Sequence, residues 1–127
     1  MTGVITRLTT ALGSLCDQVD CITGATVVNK NGLVLAAFMD AAPVSKEQVG
    51  ALGMALFARG NRVATDLTHG KPERIYLENE NGGMVICRVQ DKALLIATIT
   101  STQDVHAVFA TMQETAALLA EILPDNV

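Results

Sequence analysis

The sequence predicts a three-layer α/β/α sandwich, an α/β (α+β) fold in which helices cover both faces of an antiparallel sheet. Apolar residues recur at helical spacing in three segments and at strand spacing in five, in the order α-β-β-α-β-β-β-α. Asn-Gly turn signals at 31–32 and 81–82 join neighbouring strands into hairpins. The last strand, Ala93-Leu94-Leu95-Ile96-Ala97-Thr98-Ile99, is apolar on both faces, so it belongs at the centre of the sheet with cover on each side.

The elements follow in order. Val4, Leu8, Leu12, Leu15 and Val19 share one side of a first helix, and Ala11 fills the same face. Residues 22–29 are strand-like, and 32–38 repeat the signal with Leu33, Val34 and Leu35. Between them Lys30-Asn31-Gly32 supplies the left-handed residues of a tight hairpin, and both a two-residue turn and a bulged turn fit. Residues 39–43 cross to a long helix over 45–67, with Pro43 ending strand character. Ser45 caps that helix, Gln48 stands three residues on, and Val44 and Val49 are spaced for a hydrophobic staple. Gly70 and Pro72 stop it.

Beyond the break, 74–78 alternates strictly: Ile75 and Leu77 face one way, Arg74, Tyr76 and Glu78 the other, as suits an edge strand. An Asn81-Gly82-Gly83 turn leads into 84–89, and Gln90-Asp91-Lys92 leads into the central strand. Ser101 and Asp104 give a capping signal for the last helix. Its face is Val105, Val108, Phe109, Met112, Ala116, Leu119 and Leu123, ending before Pro124.

The long helix carries more apolar circumference than one sheet can cover. Val49, Leu52, Gly53, Leu56, Gly60, Val63 and Leu67 form a stripe, and Gly50, Met54, Phe57 and Ala64 widen it to one side. Interior glycines each cost roughly 1 kcal/mol against Ala, so Gly50, Gly53 and Gly60 suggest the close approach of another backbone. The expectation is a helix that packs its own sheet and a partner.

Composition bounds the function. In 127 residues, half are hydrophobic and 17% charged, below the roughly 25% of ordinary soluble domains, which again favours an oligomer. A net charge of -4 with no basic run, one Tyr and no Trp leaves no footprint for nucleic acid or anionic lipid. No apolar run approaches the ~20 residues of a bilayer span. The first 19 residues lack the regions of a signal peptide, so a cytoplasmic location with no membrane insertion is expected. Cys16, Cys21 and Cys87 are odd in number and match no disulfide or C-x-x-C spacing, which suits reduced, buried thiols.

Nothing in the chain demands catalysis. His69 lies in the polar break, His106 sits off the apolar face of the last helix, and neither has a partner at metal-site spacing. Nucleotide-binding glycine patterns are missing, and the acidic residues have no calcium-loop spacing. No cofactor is expected. Arg59 and Arg62 lie on the polar side of the long helix, where one could reach a phosphate on a partner's nucleotide; pairing of Arg62 with Asp66 at i+4 is the simpler account.

The run Ile22-Thr23-Gly24-Ala25-Thr26-Val27-Val28-Asn29-Lys30-Asn31-Gly32-Leu33-Val34-Leu35-Ala36 resembles the first hairpin of the Roadblock/LC7 family. The capped helix with Gly53 and Gly60, the edge strand, the Asn-Gly turn and strand 93–99 follow in that family's order. The resemblance covers the whole chain, residues 1–127 as one domain. It implies a five-stranded antiparallel sheet of order 2-1-5-4-3, the long helix on one face and the terminal helices on the other. It further implies dimers that pair the third strand and central helix across a two-fold axis. In this sequence that surface is Gly50, Gly53, Met54, Phe57, Gly60, Asn61, Ala64 and the strand Arg74, Ile75, Tyr76, Leu77 and Glu78. Relatives serve as platforms for Ras-like small GTPases, as regulators of a bacterial polarity GTPase, or as dynein light chains and lysosomal scaffolds. They generally contribute no catalytic constellation of their own.

The expected function is therefore a non-catalytic, cytoplasmic homodimeric scaffold that binds a Ras-like small GTPase and modulates its GTP hydrolysis or localisation. Two other classes stand beside it: a small-molecule-sensing signalling domain, and a thiol or metal enzyme using Cys21 or Cys87 with a histidine.

Overall fold

The computed structural model describes residues 2–39 and 44–127. Helix α1 (Thr2–Gln18) precedes the hairpin β1 (Ile22–Asn29) and β2 (Val34–Met39), then α2 (Lys46–Asp66), the meander β3 (Arg74–Asn79), β4 (Gly82–Val89) and β5 (Ala93–Ile99), and α3 (Val105–Ile122). The five strands form one antiparallel sheet of order β2-β1-β5-β4-β3. This is the predicted element order and strand order. β5 is central and almost wholly buried, because its two faces carry Leu95 and Ala97 on one side and Leu94 and Ile96 on the other.

Strand alternation divides the interior into two cores. Val27, Val85, Cys87, Leu95 and Ala97 point at α1 and α3, which bring Leu8, Leu12, Leu15, Met112 and Leu119. Val28, Ile86, Leu94 and Ile96 point the other way, at α2, whose one buried apolar side chain larger than glycine is Val49. The α2 side is the thinner of the two.

Several local expectations are resolved or corrected. The Asn29 N–H bonds to the Leu33 carbonyl at 2.9 Å, Gly32 N–H to the Asn29 carbonyl at 3.0 Å, and Gly32 has φ +83; the hairpin is the bulged form. The Asn29 side-chain oxygen accepts from the N–H groups of Asn31 and Leu33, both at 3.0 Å, a cap the pattern did not announce. Met39 belongs to β2 and packs toward α2 rather than starting the crossing; residues 40–43, including Pro43, lie outside the described residues.

Gly82 and Gly83 pair with Asn79 and Glu78 inside the ladder, leaving Glu80-Asn81 as the turn. A β-carbon on Gly82 would collide with the Ile99 carbonyl, so the glycine answers a close backbone approach. Asp104 occupies the cap position of α3, but its side chain makes no capping bond; the Ser101 hydroxyl instead accepts from Gln103 N–H at 3.3 Å.

Candidate functional site

Helix α2 begins where its cap dictates. The Ser45 hydroxyl accepts the Gln48 N–H at 3.2 Å, and Val44 and Val49 both join the α2-side core as a staple. The helix then crosses the sheet obliquely on its glycines. A β-carbon on Gly50 would lie 3.1 Å from Val28 and 3.3 Å from Val34, one on Gly53 would press into Ile96, and one on Gly60 would fall on Ile75. Those neighbours are side chains of the chain's own sheet. The glycines therefore do not require a partner's backbone, which corrects the reason first given for them.

Seating the helix this way splits its wide apolar arc. Gly50 and Gly53 are buried and Met54, Leu56, Phe57, Gly60 and Ala64 are half-buried, whereas Leu52, Val63 and Leu67 remain 54%, 58% and 55% exposed. At 100° per residue those three, with Leu56 between them, line a single flank. The sequence pattern placed them in the sheet-facing stripe; the glycines rotate that stripe toward Gly50 and Phe57. On the edge strand β3, Leu77 is 44% exposed on the same side as Ile75.

β3 is a sheet edge, and α2 reaches it where Gly60 lies on Ile75. The Arg88 N–H donates to the Glu73 carbonyl at 3.1 Å, and the β3–β4 register pairs Ile75 with Ile86 and Leu77 with Met84. Hydrogen bonding alternates along an antiparallel pair, so the N–H and C=O groups of Arg74, Tyr76 and Glu78 lie along the free edge. Their side chains turn to the α3 face. The Arg74 guanidinium stacks 4.0 Å from the centroid of the Phe109 ring, and Tyr76 meets that ring edge-on at 5.5 Å. The Tyr76 hydroxyl donates to Glu78 Oε1 at 3.1 Å. Desolvation, and then the Glu78 carboxylate accepting its proton, hold the Tyr76 phenol above its usual pKa.

At the opposite flank of α2, Met54, Phe57 and Asn61 face Leu94, Lys71 and Asp91 across a cleft of about 330 Å³. Two of its three cations are paired: Lys71 bonds Asp91 at 2.8 Å, and Arg88 reaches Asp91 at 3.3 Å and also pairs with Glu73, while Lys30 lines the cleft as well. The Lys71 ammonium, with Arg88 and Lys30 behind it, keeps the Asp91 carboxyl below its ordinary pKa. Arg62 pairs with Asp66 at 3.1 Å, as the i+4 spacing predicts, while both stay exposed.

The groups considered for catalysis are dispersed. His69 and His106 are exposed, and His106 approaches the Phe109 ring at 5.9 Å. Burial pushes the Cys87 thiol up to about 11, and burial also raises Cys21, so at neutral pH both hold their protons rather than acting as thiolates. Among the described residues no cluster of three or more His, Cys, Asp or Glu side chains could hold a metal ion, and no helix is long and apolar enough to cross a membrane.

What this arrangement can do is bind another protein, through a greasy helix flank next to an open strand. Comparison with known proteins agrees with the architecture. No curated protein sequence matches the chain. Among solved structures it is similar to "MglB with tetrameric arrangement" (19% identity, TM-score 0.86, covering 94% of this chain and 89% of that one). It is also similar to the gliding protein MglB of Thermus thermophilus (18%, 0.85, 94% and 90%) and to a Roadblock/LC7 domain of Streptomyces avermitilis (16%, 0.81, 89% and 94%). The Roadblock/LC7 domain profile matches residues 10–100. With that match spanning most of its length, the chain belongs to the Roadblock/LC7 domain family.

Proposed function

We propose that this protein is a non-catalytic homodimeric regulator that docks a Ras-like small GTPase and modulates its GTP hydrolysis or its localisation. One observation carries the reading: Leu52, Val63 and Leu67 stand exposed on α2, and the same helix passes over β3, an edge strand with exposed Leu77, where Gly60 meets Ile75. A second copy related by a two-fold axis covers both at once, since in an isologous contact one patch serves each subunit. The strand edge gains hydrogen bonds and the helix flank leaves water.

Two joined sheets with a pair of α2 helices laid over them form a continuous platform. Membership of the Roadblock/LC7 family and likeness to the gliding protein MglB support a GTPase as its guest. Holding the guest's switch segments in one conformation would change its rate of hydrolysis without a catalytic group from this chain. The contact set for the dimer is the strand Arg74, Ile75, Tyr76, Leu77 and Glu78 together with α2. On α2, Leu52, Val63 and Leu67 supply the open flank, and Gly50, Gly53, Met54, Phe57, Gly60, Asn61 and Ala64 seat the helix or border the neighbouring cleft.

Light scattering at micromolar concentration should give twice the monomer mass. The purified protein should also co-elute with a Ras-like GTPase from the same cell in one nucleotide state and change its single-turnover GTP hydrolysis. A monomer, or indifference to every such GTPase in both nucleotide states, removes the proposal. A second reading, sensing of a small ligand, draws on the cleft under Phe57. A metabolite that raises the melting temperature of the wild type but not of a Phe57→Leu variant would favour it.

A further inference from the structure

We infer that β3 selects a second copy of this same chain through a self-complementary charge order, with Arg74 of each copy opposite the partner's Glu78 about a two-fold axis through Tyr76. This rests on the dimer reading above and adds to it the register and the choice of partner.

The free backbone groups at the edge belong to Arg74, Tyr76 and Glu78, so an added antiparallel strand must set its own free groups against these three. That leaves few two-fold registers. Centring on Arg74 sets arginine against arginine, and centring on Glu78 sets glutamate against glutamate; like charges directly opposite are destabilising. Centring on Ile75 brings Pro72, which has no N–H, opposite Glu78. Centring on Leu77 pairs Arg74 with Glu80, which lies in the turn beyond the strand. Only the Tyr76 centre gives three hydrogen-bonded pairs and two opposite-charge pairs within Arg74–Asn79.

Three further observations agree. Neither Arg74 nor Glu78 has an ion-pair partner among the described residues; one stacks on Phe109 and the other accepts from Tyr76. Both side chains lie on the α3 face, so the cross-strand pairs form there without displacing α2. On the other face the same register sets Ile75 against the partner's Leu77, which covers a side chain left 44% exposed in the single chain. Hydrogen bonding, charge and apolar cover all choose one alignment.

The test is a charge-swap cycle on the full chain, read by analytical ultracentrifugation with circular dichroism as the fold check. Arg74→Glu alone and Glu78→Arg alone should each weaken self-association roughly tenfold or more, because each places two like pairs across the axis. An equimolar mixture of the two variants should assemble into heterodimers, and the double variant should recover the wild-type homodimer. A mixture of Ile75→Cys and Leu77→Cys chains should crosslink to each other on mild oxidation, since this register makes them a non-hydrogen-bonded pair about 4.5 Å apart at Cα. If either charge variant dimerises like the wild type, if the charge-variant mixture stays dissociated, or if dimers of the Ile75→Cys and Leu77→Cys chains do not crosslink, the register is wrong. A wild type that is monomeric throughout overturns the dimer reading itself.

Discussion

Gly60 of α2 sits so close over Ile75 of β3 that a β-carbon on the glycine would occupy the place of Ile75 Cδ1. The helix and the edge strand thereby meet directly, and with them the two halves of the proposed contact surface. Each half gains its position from a side chain the helix does not have.

The glycines are not equivalent, and substitution should separate them. Gly53 faces three atoms of fully buried Ile96, with Cγ1 at 2.9 Å and Cγ2 at 3.1 Å from a built β-carbon. Gly53→Ala should therefore cost about 1–3 kcal/mol in urea unfolding despite the helix propensity it gains. Gly60→Ala meets only the tip of half-exposed Ile75, which can swing aside, so its stability should stay within about 0.5 kcal/mol of wild type.

The two flanks of α2 should answer differently to charge. Val63→Glu lies on the open side and should leave the folded chain's stability within about 0.5 kcal/mol while abolishing self-association by light scattering. Phe57→Asp buries a carboxylate in the α2-side core and should destabilise the fold itself by about 2 kcal/mol or more. Finding the reverse order would put the contact on the Phe57 flank.

Alkaline stability should report Cys87. Its folded pKa of about 11 exceeds the ordinary 9.0 because of burial, Arg74 opposing the shift. The unfolded chain releases that proton first as pH rises. The thiol's contribution is thus whole below pH 9 and is lost between 9 and about 11, on the order of 2 kcal/mol. Denaturant melts of Cys87→Ala at pH 7 and pH 10.5 should show that part of the alkaline loss missing.

Lys92 closes the last helix from outside it. Its ammonium donates to the carbonyls of Ala120 at 2.8 Å and Leu123 at 2.9 Å, and pairs with Asp125 at 3.2 Å. Lys92→Met keeps the aliphatic stem and removes three donors, so it should cost about 1–2 kcal/mol and speed amide exchange in the last turn of α3. Asp125→Asn, at an almost fully exposed side chain, should change little.

Much of this architecture could be read in advance because single residues decide it. Ser45 fixes the start of α2, the doubly apolar 93–99 run fixes the centre of the sheet, and strict alternation fixes β3 as an edge. What the pattern missed depends on contacts distant in sequence. The phase of α2 on the sheet is set by Val28, Ile96 and Ile75 rising into the glycine gaps, and no helical wheel contains that information. It moved Leu52, Val63 and Leu67 from the inner stripe to the open flank. The Asn29 side-chain cap and the placing of Gly82 against the Ile99 carbonyl were likewise invisible, being local geometry and a strand-to-strand approach rather than periodicity. The α3 cap failed for the opposite reason: Asp104 has the right identity, yet its backbone turns at φ -106, ψ 35, and the side chain does not reach.

A helix bedded on glycines has no slack. With Val28, Val34 and buried Ile96 filling the notches beneath its first half, α2 cannot roll or slide there without displacing side chains of the sheet. Should the proposed guest land on such a surface, it would meet an anvil, and the deformation that accompanies docking would fall on the visitor's own loops.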